Sequence, residues 1–500
     1  MVRGALTAAV QVSTSIAMVA VGLPVVLHAL GAERYGIFAL LTVISTFGTI
    51  VTAGLQGALV RFVGAAQERN EANVVVVSNI ILSGVIGLTI GLIGILGEDL
   101  VLMNLFNLKG SVESGTRILY RMSLISSFLL TSGQTFVGLL DVQQKNYVSN
   151  ICQVVFTVTY WLFCASAAAL WHSLGAIGYA VAASAAVWYV LVVGAAIRNW
   201  GRLVFSGAWP SLTRTVKNQA LYGGTLLFAN QLGFLYEPFT KVLIAHTMGF
   251  SEVGVFDIAL RVKNQIWSFF ARMIYPVSPI MAILHDRERL SFLVADFSSK
   301  LVYAVAAPAV VIGLSIGPGL GLWLGNAETS LVMATATITT AHMFSLVALP
   351  MYYFLIVQGF AAKTVVAQTL TVIANFVTFF ALLGPLGFFA APLANSVAAL
   401  VSTSYVFYLQ KVEFGRLPLR SMSAGVTLLA IVGVGTLLGI AILWLTKGEL
   451  AEVVLVIGGV SAVFVLLYRY LNVLSSGDLL RYTDSDSAFQ RFLVKVLCRN

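Results

Sequence analysis

Asp257, Arg261, Gln265, Ser268 and Arg272 recur at intervals of four, four, three and four residues, a spacing that aligns them along one face of an α-helix. Upstream, Asn230, Phe234, Glu237 and Lys241 repeat the arrangement, and Lys263 falls between Arg261 and Gln265 in the chain. Basic groups in apolar surroundings are suited to holding an anion. The Arg guanidinium presents a planar fork to two phosphate oxygens, and the Lys ammonium is a compact point charge. Arg272, Arg261, Lys241 and Lys263 are therefore the candidate anion-binding residues, with Gln265 and Asn230 as polar companions. Asp257 with Arg261, and Glu237 with Lys241, are each four residues apart, so each pair can instead neutralise itself along its own helix. Arg272 has no acid four residues away. Glu237, Asp257 and the earlier Asp141 are the acids available to take up a proton or Na⁺, since embedded carboxylates serve as ion relays.

The surroundings of these charges are those of a membrane. Of 500 residues 59% are hydrophobic and 10% charged, and the mean hydropathy is +0.93, more apolar surface than a water-soluble globule can cover. Crossing about 30 Å of hydrocarbon takes roughly 20 apolar residues per helix. Fourteen stretches qualify: 5–30, 36–60, 74–97, 118–141, 148–171, 174–197, 219–246, 254–282, 297–318, 329–357, 363–383, 386–410, 422–446 and 451–471. The fold class is an all-α polytopic membrane protein. Barrel strands would alternate in polarity over about ten residues, and these runs are unbroken. The first run exceeds a signal-peptide core and is followed at once by a second, so it reads as a span.

Six Lys or Arg residues fall inside the spans: Arg121, Lys241, Arg261, Lys263, Arg272 and Lys300. Such groups usually face a bundle interior or a water-filled path. Lys300, beside Asp296, is placed to snorkel to a span end, and Arg121 lies similarly near an edge. His342, midway along span 10, reads as a packed helix histidine. Cys152, Cys164 and Cys498 are scattered and form neither a metal-ligand set nor a disulfide framework. No cofactor is expected.

Lys and Arg collect in cytoplasmic loops. With the N-terminus inside, nineteen basic residues fall in cytoplasmic segments, against Arg34, Lys109, Arg117 and Lys447 in external ones. Both termini are then cytoplasmic. The net charge of +9 is accounted for by anionic lipid headgroups in the bilayer, with no nucleic acid.

The chain also repeats itself. "HALGAERYGIF" (28–38) and "HTMGFSEVGVF" (246–256) share His, Gly, Gly and Phe at an offset of 218, which also relates Lys145 to Lys363. "LGAIGYAVA" from Leu174 matches "LGFFAAPLA" from Leu386 at an offset of 212. Six spans separate the copies, so both halves enter the membrane in the same direction, as in transporters built from parallel repeats. The expected organisation is a first lobe over 1–198, a cytoplasmic linker over 199–218, a second lobe over 219–410, an appended helix pair over 411–471 and a cytoplasmic tail over 472–500. Pro24, Pro238, Pro276, Pro279, Pro308, Pro350 and Pro392 fall within spans and are expected to kink them.

Two parallel six-helix lobes, two extra helices, the "LGAERYGIFAL" turn and "VQGFAAKTVVAQTLTVIANFVTFFALLGPLGFFAAPLANS" together resemble the polysaccharide flippases of the MOP superfamily. These are Wzx-type exporters, relatives of MATE drug exporters and of lipid II flippases. The resemblance covers about residues 1–471. It implies that the substrate is an undecaprenyl-diphosphate-linked oligosaccharide, turned from the cytoplasmic to the periplasmic leaflet of a bacterial inner membrane by alternating access of two lobes around a cationic cavity. It further implies H⁺ or Na⁺ coupling, and a polysaccharide polymerase and chain-length machinery as partners. Lipid II flippases carry charges on the first span, whereas here none lies between Arg3 and Glu33. The other readings are a MATE-like antiporter of small molecules, whose cationic cargo would suit acids better than bases, and a lipid II flippase. An enzyme is not expected: there is no P-loop, HExxH or nucleophile elbow, and the largest external loop, "EDLVLMNLFNLKGSVESGTR", holds Glu98 and Asp99 side by side, pointing to different sides of any regular element.

The orientation is open to direct measurement. Reporter fusions after Gly201 and after Arg416 should read cytoplasmic, and fusions after Gly110 and Gly448 periplasmic. A periplasmic signal at Gly201 would overturn both the orientation and the parallel repeat.

Overall fold

The computed structural model describes residues 2–108, 114–201, 209–231, 236–274, 281, 286–325, 328–415 and 456–462. Regular structure in these residues is helical, as apolar segments with no water to satisfy their backbone must be. The helices are α1 (Val2–Leu30), α2 (Ala32–Ala65), α3 (Arg69–Leu96), α4 (Ser114–Val142), α5 (Asn146–Trp171), α6 (Leu174–Trp200), α7 (Trp209–Gln231), α8 (Tyr236–Thr247), α9 (Phe250–Ile274), α10 (Arg287–Leu324), α11 (Thr329–Ser345), α12 (Leu349–Val357), α13 (Ala361–Leu386) and α14 (Ala390–Phe414).

Among the described residues nine stretches are long and apolar enough to cross a membrane, the last of them, Ala362–Phe414, containing both α13 and α14. The expected spans 7 and 8 are not among them. α7 begins at Trp209, inside the stretch expected as a linker, α8 has only 12 residues, and α9 carries Glu252, Asp257, Arg261, Lys263 and Arg272. Spans 13 and 14 lie outside the described residues except for 456–462, as do the cytoplasmic tail, Pro276 and Pro279. The chain divides into two compact units, Met1–Asp257 and Ile258–Asn500, with the division inside α9.

In the first unit, Leu59, Val76, Phe136, Leu139, Trp188 and Val192 form a buried cluster. Lipid gives little hydrophobic reason for helices to associate, so close backbone approach and polar bonds take over. A Cβ on Gly133 would lie 2.3 Å from the Trp188 ring, and one on Gly178 would lie 2.8 Å from Leu119 Cα. Asn79 Nδ2 donates to Leu55 O at 3.0 Å and to Gln219 Oε1 at 2.7 Å, and Gln219 Nε2 donates to Val75 O at 2.9 Å. Thr135 Oγ1 donates to Asn79 Oδ1 at 2.8 Å. These bonds join α2, α3, α4 and α7.

The connection from α3 to α4 is pinned by ion pairs. Arg117 reaches Glu98 Oε1 and Asp99 Oδ1, each at 2.8 Å, and Arg121 reaches Glu98 Oε2 at 2.8 Å. Adjacent acids are thus held by one guanidinium, which the divergence of neighbouring side chains had not suggested. Burial alone would raise the Glu98 carboxyl, but hydrogen bonds from Arg121 and Arg117 outweigh it and hold it below the usual carboxylate range. Its stabilisation is present above the ordinary Glu value and is lost as pH falls through the lowered one.

In the second unit, Ala271, Ile274, Val305, Met343, Leu346 and Val347 form one apolar cluster, and Leu290, Val294, Met351, Leu355, Ala367 and Val406 another. Glu413 near the end of α14 takes Arg287 Nη2 at 3.1 Å and also pairs with Lys363. Lys363 thereby ties the start of α13 to the end of α14, as its repeat partner Lys145 ties the start of α5 to the end of α6 by donating to Asn199 Oδ1 at 2.7 Å. The two halves use the same staple.

The prolines behave less uniformly than expected. Pro24 and Pro308 lie inside helices. Pro238, Pro350 and Pro392 instead occupy the first turns of α8, α12 and α14, where a missing N–H leaves no bond unmade. A 3₁₀ turn at Leu346–Ala348 separates α11 from α12 just before Pro350.

Two glycines of α6 make a controlled comparison, because a Cβ on Gly194 would meet nothing within 4 Å. Gly178→Ala should destabilise the purified protein by about 2 kcal/mol through overpacking against Leu119, read as a lower melting temperature in detergent. Gly194→Ala should leave that temperature unchanged or slightly raised. Equal values for the two variants would show that the α4–α6 approach does not support stability.

Candidate functional site

The two repeated turns meet. Gly31 and Gly249 adopt φ of 76° and 105°, a backbone region in which glycine carries no Cβ penalty, and each reverses the chain before a helix begins. The second glycine of each copy serves a different end. A Cβ on Gly36 would lie 1.7 Å from the Phe250 carbonyl oxygen, and one on Gly254 would lie 3.2 Å from the Ala32 carbonyl oxygen. Ala32 and Phe250 are themselves 218 residues apart, as are Gly36 and Gly254. The contact is therefore reciprocal, the signature of a two-fold relation between like surfaces.

Beneath the turns lies a buried ionic cluster. Lys241 Nζ donates to Asp257 Oδ1 at 2.5 Å, and Tyr35 Oη donates to Asp257 Oδ2 at 2.8 Å. Tyr35 is 0%, Asp257 2% and Lys241 9% exposed. Lys241 precedes His246 by five residues, about 8 Å along a helix. The sequence suggested pairs along single helices, Glu237 with Lys241 and Asp257 with Arg261. The bond found for Lys241 instead crosses from α8 to α9, because the Gly249 turn folds these helices into a hairpin that sets the two side chains face to face. Each carboxylate oxygen of Asp257 thus receives its own donor, the condition under which a buried charge is tolerated.

The remaining row on α9 belongs to the second unit. Exposure rises along it, from buried Asp257 through half-buried Arg261, Gln265 and Ser268 to exposed Arg272. Lys263, off this row, is buried. Glu237 is half-buried at the start of α8, with the Tyr236 hydroxyl 3.4 Å from its Oε1. The side chain of Asn230 and the whole of Phe234 lie outside the described residues. Asp141, in α4, accepts from Gln56 Nε2 at 2.7 Å and belongs to a different neighbourhood from the Asp257 cluster. Lys300 pairs with Asp296 at 2.6 Å. His342 is buried and donates from Nδ1 to Ile338 O at 2.9 Å, as a packed helix histidine does. No group of three or more metal-ligating side chains occurs among the described residues.

Tyr35, Asn79 and Gln219 escaped the sequence reading. For Tyr35 a signal existed. Positions 241 and 257 correspond across the repeat to Leu23 and Ala39, and position 35 to Val253. Each member of the cluster is polar where its repeat counterpart is apolar, a departure that a comparison of the two halves exposes. Asn79 and Gln219 carry the same mark, corresponding at that offset to Phe297 and Met1.

Known proteins resemble this arrangement at two levels. The sequence family described as "Polysaccharide biosynthesis protein" matches residues 2–285, more than half of the chain. An "Uncharacterized membrane protein EpsK" of Bacillus subtilis (strain 168) is 21% identical over 397 residues, 76% of this chain and 77% of that protein. Among solved structures, "Lipid II flippase MurJ, inward closed conformation" superposes with a TM-score of 0.72 at 13% identity, covering 95% of this chain and 98% of that one. An inward-facing multidrug resistance MATE family transporter of the MOP superfamily gives a TM-score of 0.61 at 15% identity, covering 81% and 94%. With its many apolar helices, its repeated turns and this family match, the chain belongs to the polysaccharide biosynthesis protein family, is a multi-pass membrane protein and shares its fold with these two solved structures.

Proposed function

We propose that this protein turns an undecaprenyl-diphosphate-linked oligosaccharide from the cytoplasmic to the periplasmic leaflet of a bacterial inner membrane, with both its termini in the cytoplasm. The polar row of α9, whose exposure grows from Asp257 to Arg272, is the observation that carries this reading. Moving sugar hydroxyls through hydrocarbon costs roughly 2 kcal/mol or more for each unpaired group, so the headgroup requires a polar path while its lipid tail stays in the bilayer. A diphosphate requires cations on that path. Arg261 and Arg272 supply them from that row within three turns of helix, with Lys263 buried on another face of the same helix, and Gln265 adds an uncharged partner for sugar hydroxyls.

The same residues argue against the rival cargoes. A cationic drug would be repelled by a helix in which Arg261, Lys263 and Arg272 outnumber Asp257 along its polar length. A lipid II substrate loses support from α1, which carries no charge between Arg3 and Glu33. Transport rather than bond chemistry is the task, with the two halves exposing the α9 row to each side in turn. Glu237, Asp257 and Asp141 are the acids through which H⁺ or Na⁺ would couple, and a polymerase with its chain-length machinery would receive the glycan.

Arg272→Ala should reduce glycan export at least about tenfold, the loss expected when one charged phosphate contact is removed, while protein remains in the membrane. Lys at this position should restore export in part, and Glu should not. Normal surface glycan in the Arg272→Glu strain would remove Arg272 from the headgroup path.

A further inference from the structure

Two polar faces run against each other within the Met1–Asp257 unit. On α4, Ser123, Ser127, Thr131, Gln134, Gly138 and Asp141 recur at intervals of four, four, three, four and three residues, which keeps them on one side of the helix. On α2, Thr42, Ser45, Thr49, Thr52 and Gln56 recur at three, four, three and four. Three contacts bring the faces together. A Cβ on Gly48 would lie 1.8 Å from Thr131 Oγ1 and 3.1 Å from Ser127 Oγ, one on Gly138 would lie 3.0 Å from Gln56 Cγ, and Gln56 Nε2 donates to Asp141 Oδ2 at 2.7 Å. From Ser123 to Asp141 is eighteen residues, about 27 Å along the axis, nearly the thickness of the hydrocarbon layer.

A buried hydroxyl on a helix ordinarily bonds a carbonyl of its own preceding turn, as Thr42 does to Phe38 O, Thr52 to Gly48 O and Ser132, off the row, to Phe128 O. Ser45, Ser123, Ser127 and Thr131 do not. Ser45 is 4% exposed and the other three 0–1%, and none makes a hydrogen bond among the described residues. The row ends on a carboxylate. Half-buried Asp141 has Gln56 as its one side-chain partner among the described residues, whereas Asp257 is held by Lys241. Charged groups on the helices packed around Asp141 are engaged elsewhere or exposed. Arg61 of α2 stacks over Tyr222, Arg69 of α3 bonds the Trp200 carbonyl, and Lys145 before α5 donates to Asn199. Glu68, Glu71 and Arg198 are exposed.

Resting on the flippase reading and its orientation, we propose that the α2–α4 seam carries protons from the external face to Asp141, and that this carboxylate, with Gln56 as its positioning residue, couples transport to the proton gradient. A hydroxyl accepts a hydrogen bond at a lone pair while donating its own proton onward, so a row of them relays a proton without any member keeping a charge. Successive hydroxyls on α4 stand about 6 Å apart along the axis, the reach of two hydrogen bonds through one shared oxygen. A water serves as that oxygen, and the Ser45 hydroxyl lies at the level of Ser127. The proton comes from external water, and the last transfer forms an O–H bond on Asp141 and turns the carboxylate into a neutral carboxyl. Loss of that proton to cytoplasmic water restores the carboxylate, so one proton crosses in each cycle. Gln56 serves both states: its amide nitrogen donates to the carboxylate, and after the amide turns over, its oxygen accepts from the carboxyl. No ion pair is broken when Asp141 takes up a proton, whereas the same step on Asp257 would disrupt its bond to Lys241. With the Gly48 backbone against Thr131, the seam has no width for a sugar or a hydrated metal ion, while a proton needs only oxygens to pass between.

The seam is tested by proton entry. The full chain is reconstituted into liposomes made from the lipid extract of the deletion strain, where the flippase reading expects the lipid-linked glycan to collect, with a pH-sensitive dye enclosed and an inward proton gradient imposed. Wild-type protein should admit protons faster than protein-free liposomes do, and Asp141→Asn should fall to the protein-free level. Thr131→Val, which keeps the side-chain shape, and Gly48→Ala, which removes no polar group, should each slow entry at least about fivefold, the loss of one hydrogen bond in the relay. Ser132→Ala should leave entry unchanged. Melting temperatures of Thr131→Val and Ser132→Ala in detergent should match the wild type, which separates a blocked relay from a damaged fold. The infrared C=O stretch of the Asp141 carboxyl, assigned by its loss in Asp141→Asn, should shift in Gln56→Leu, as it does when a direct hydrogen-bond partner is removed. Wild-type entry no faster than in protein-free liposomes, or undiminished entry in Asp141→Asn, overturns the coupling role. Undiminished entry in both Thr131→Val and Gly48→Ala overturns the path. Normal glycan export alongside either result leaves the flippase reading standing, whereas a deletion strain that exports its glycan normally removes that reading itself.

Discussion

Much of the first unit depends on the approach of one backbone to another at the repeated turns. A helix entering beside Gly36 brings the Phe250 carbonyl oxygen to within 1.7 Å of where a Cβ would stand, so any residue but glycine forces the two turns apart. The reciprocal contact of Gly254 with Ala32 repeats the constraint from the other side. With Gly31 and Gly249 reversing the chain, the starts of α2 and α9 lie against one another. The α8–α9 hairpin then follows, and with it the meeting of Lys241 and Asp257.

Once the hairpin is set, electrostatics in an apolar setting determines the rest of the site. Acids and bases four residues apart on one helix are the pairs that a sequence makes visible, and such pairs lend modest support when water surrounds them. Within the packed turns a carboxylate needs a donor for each oxygen. Asp257 obtains one from α8 and one from α2, so a single side chain joins three helices. Farther along α9 the packing loosens, and charges that would be costly if enclosed reach the surface at Arg272.

Polar bonds elsewhere compensate for the weak incentive that helices have to associate in lipid. The Asn79–Gln219 network, the Glu98 ion pairs and the stapling lysines Lys145 and Lys363 each fasten helix ends or crossings where apolar side chains could as easily face lipid tails. Placing glycines at the tightest crossings, as with Gly133 under Trp188 and Gly178 beside Leu119, lets these bonds reach their partners.

The sequence by itself determined the membrane class, most helix positions among the described residues, the 218-residue repeat of the two turns and the concentration of charge on α8 and α9. Apolar length, the 3.6-residue period and an offset of 218 are local or additive properties, and they survive in a linear string. It also identified the Lys241 and Asp257 side chains, though not the bond between them. Only the tertiary structure decided that these two bond each other and Tyr35, that α7 is tied to α3 through Gln219, that Pro350 and Pro392 start helices instead of bending them, and that Arg272 ends exposed while Asp257 is enclosed. Each of those outcomes depends on where a turn directs the next helix. Burial and pairing are set by groups hundreds of residues away, such as Tyr35 beside Asp257, and no spacing along the chain encodes a contact that exists only because two glycine turns interlock.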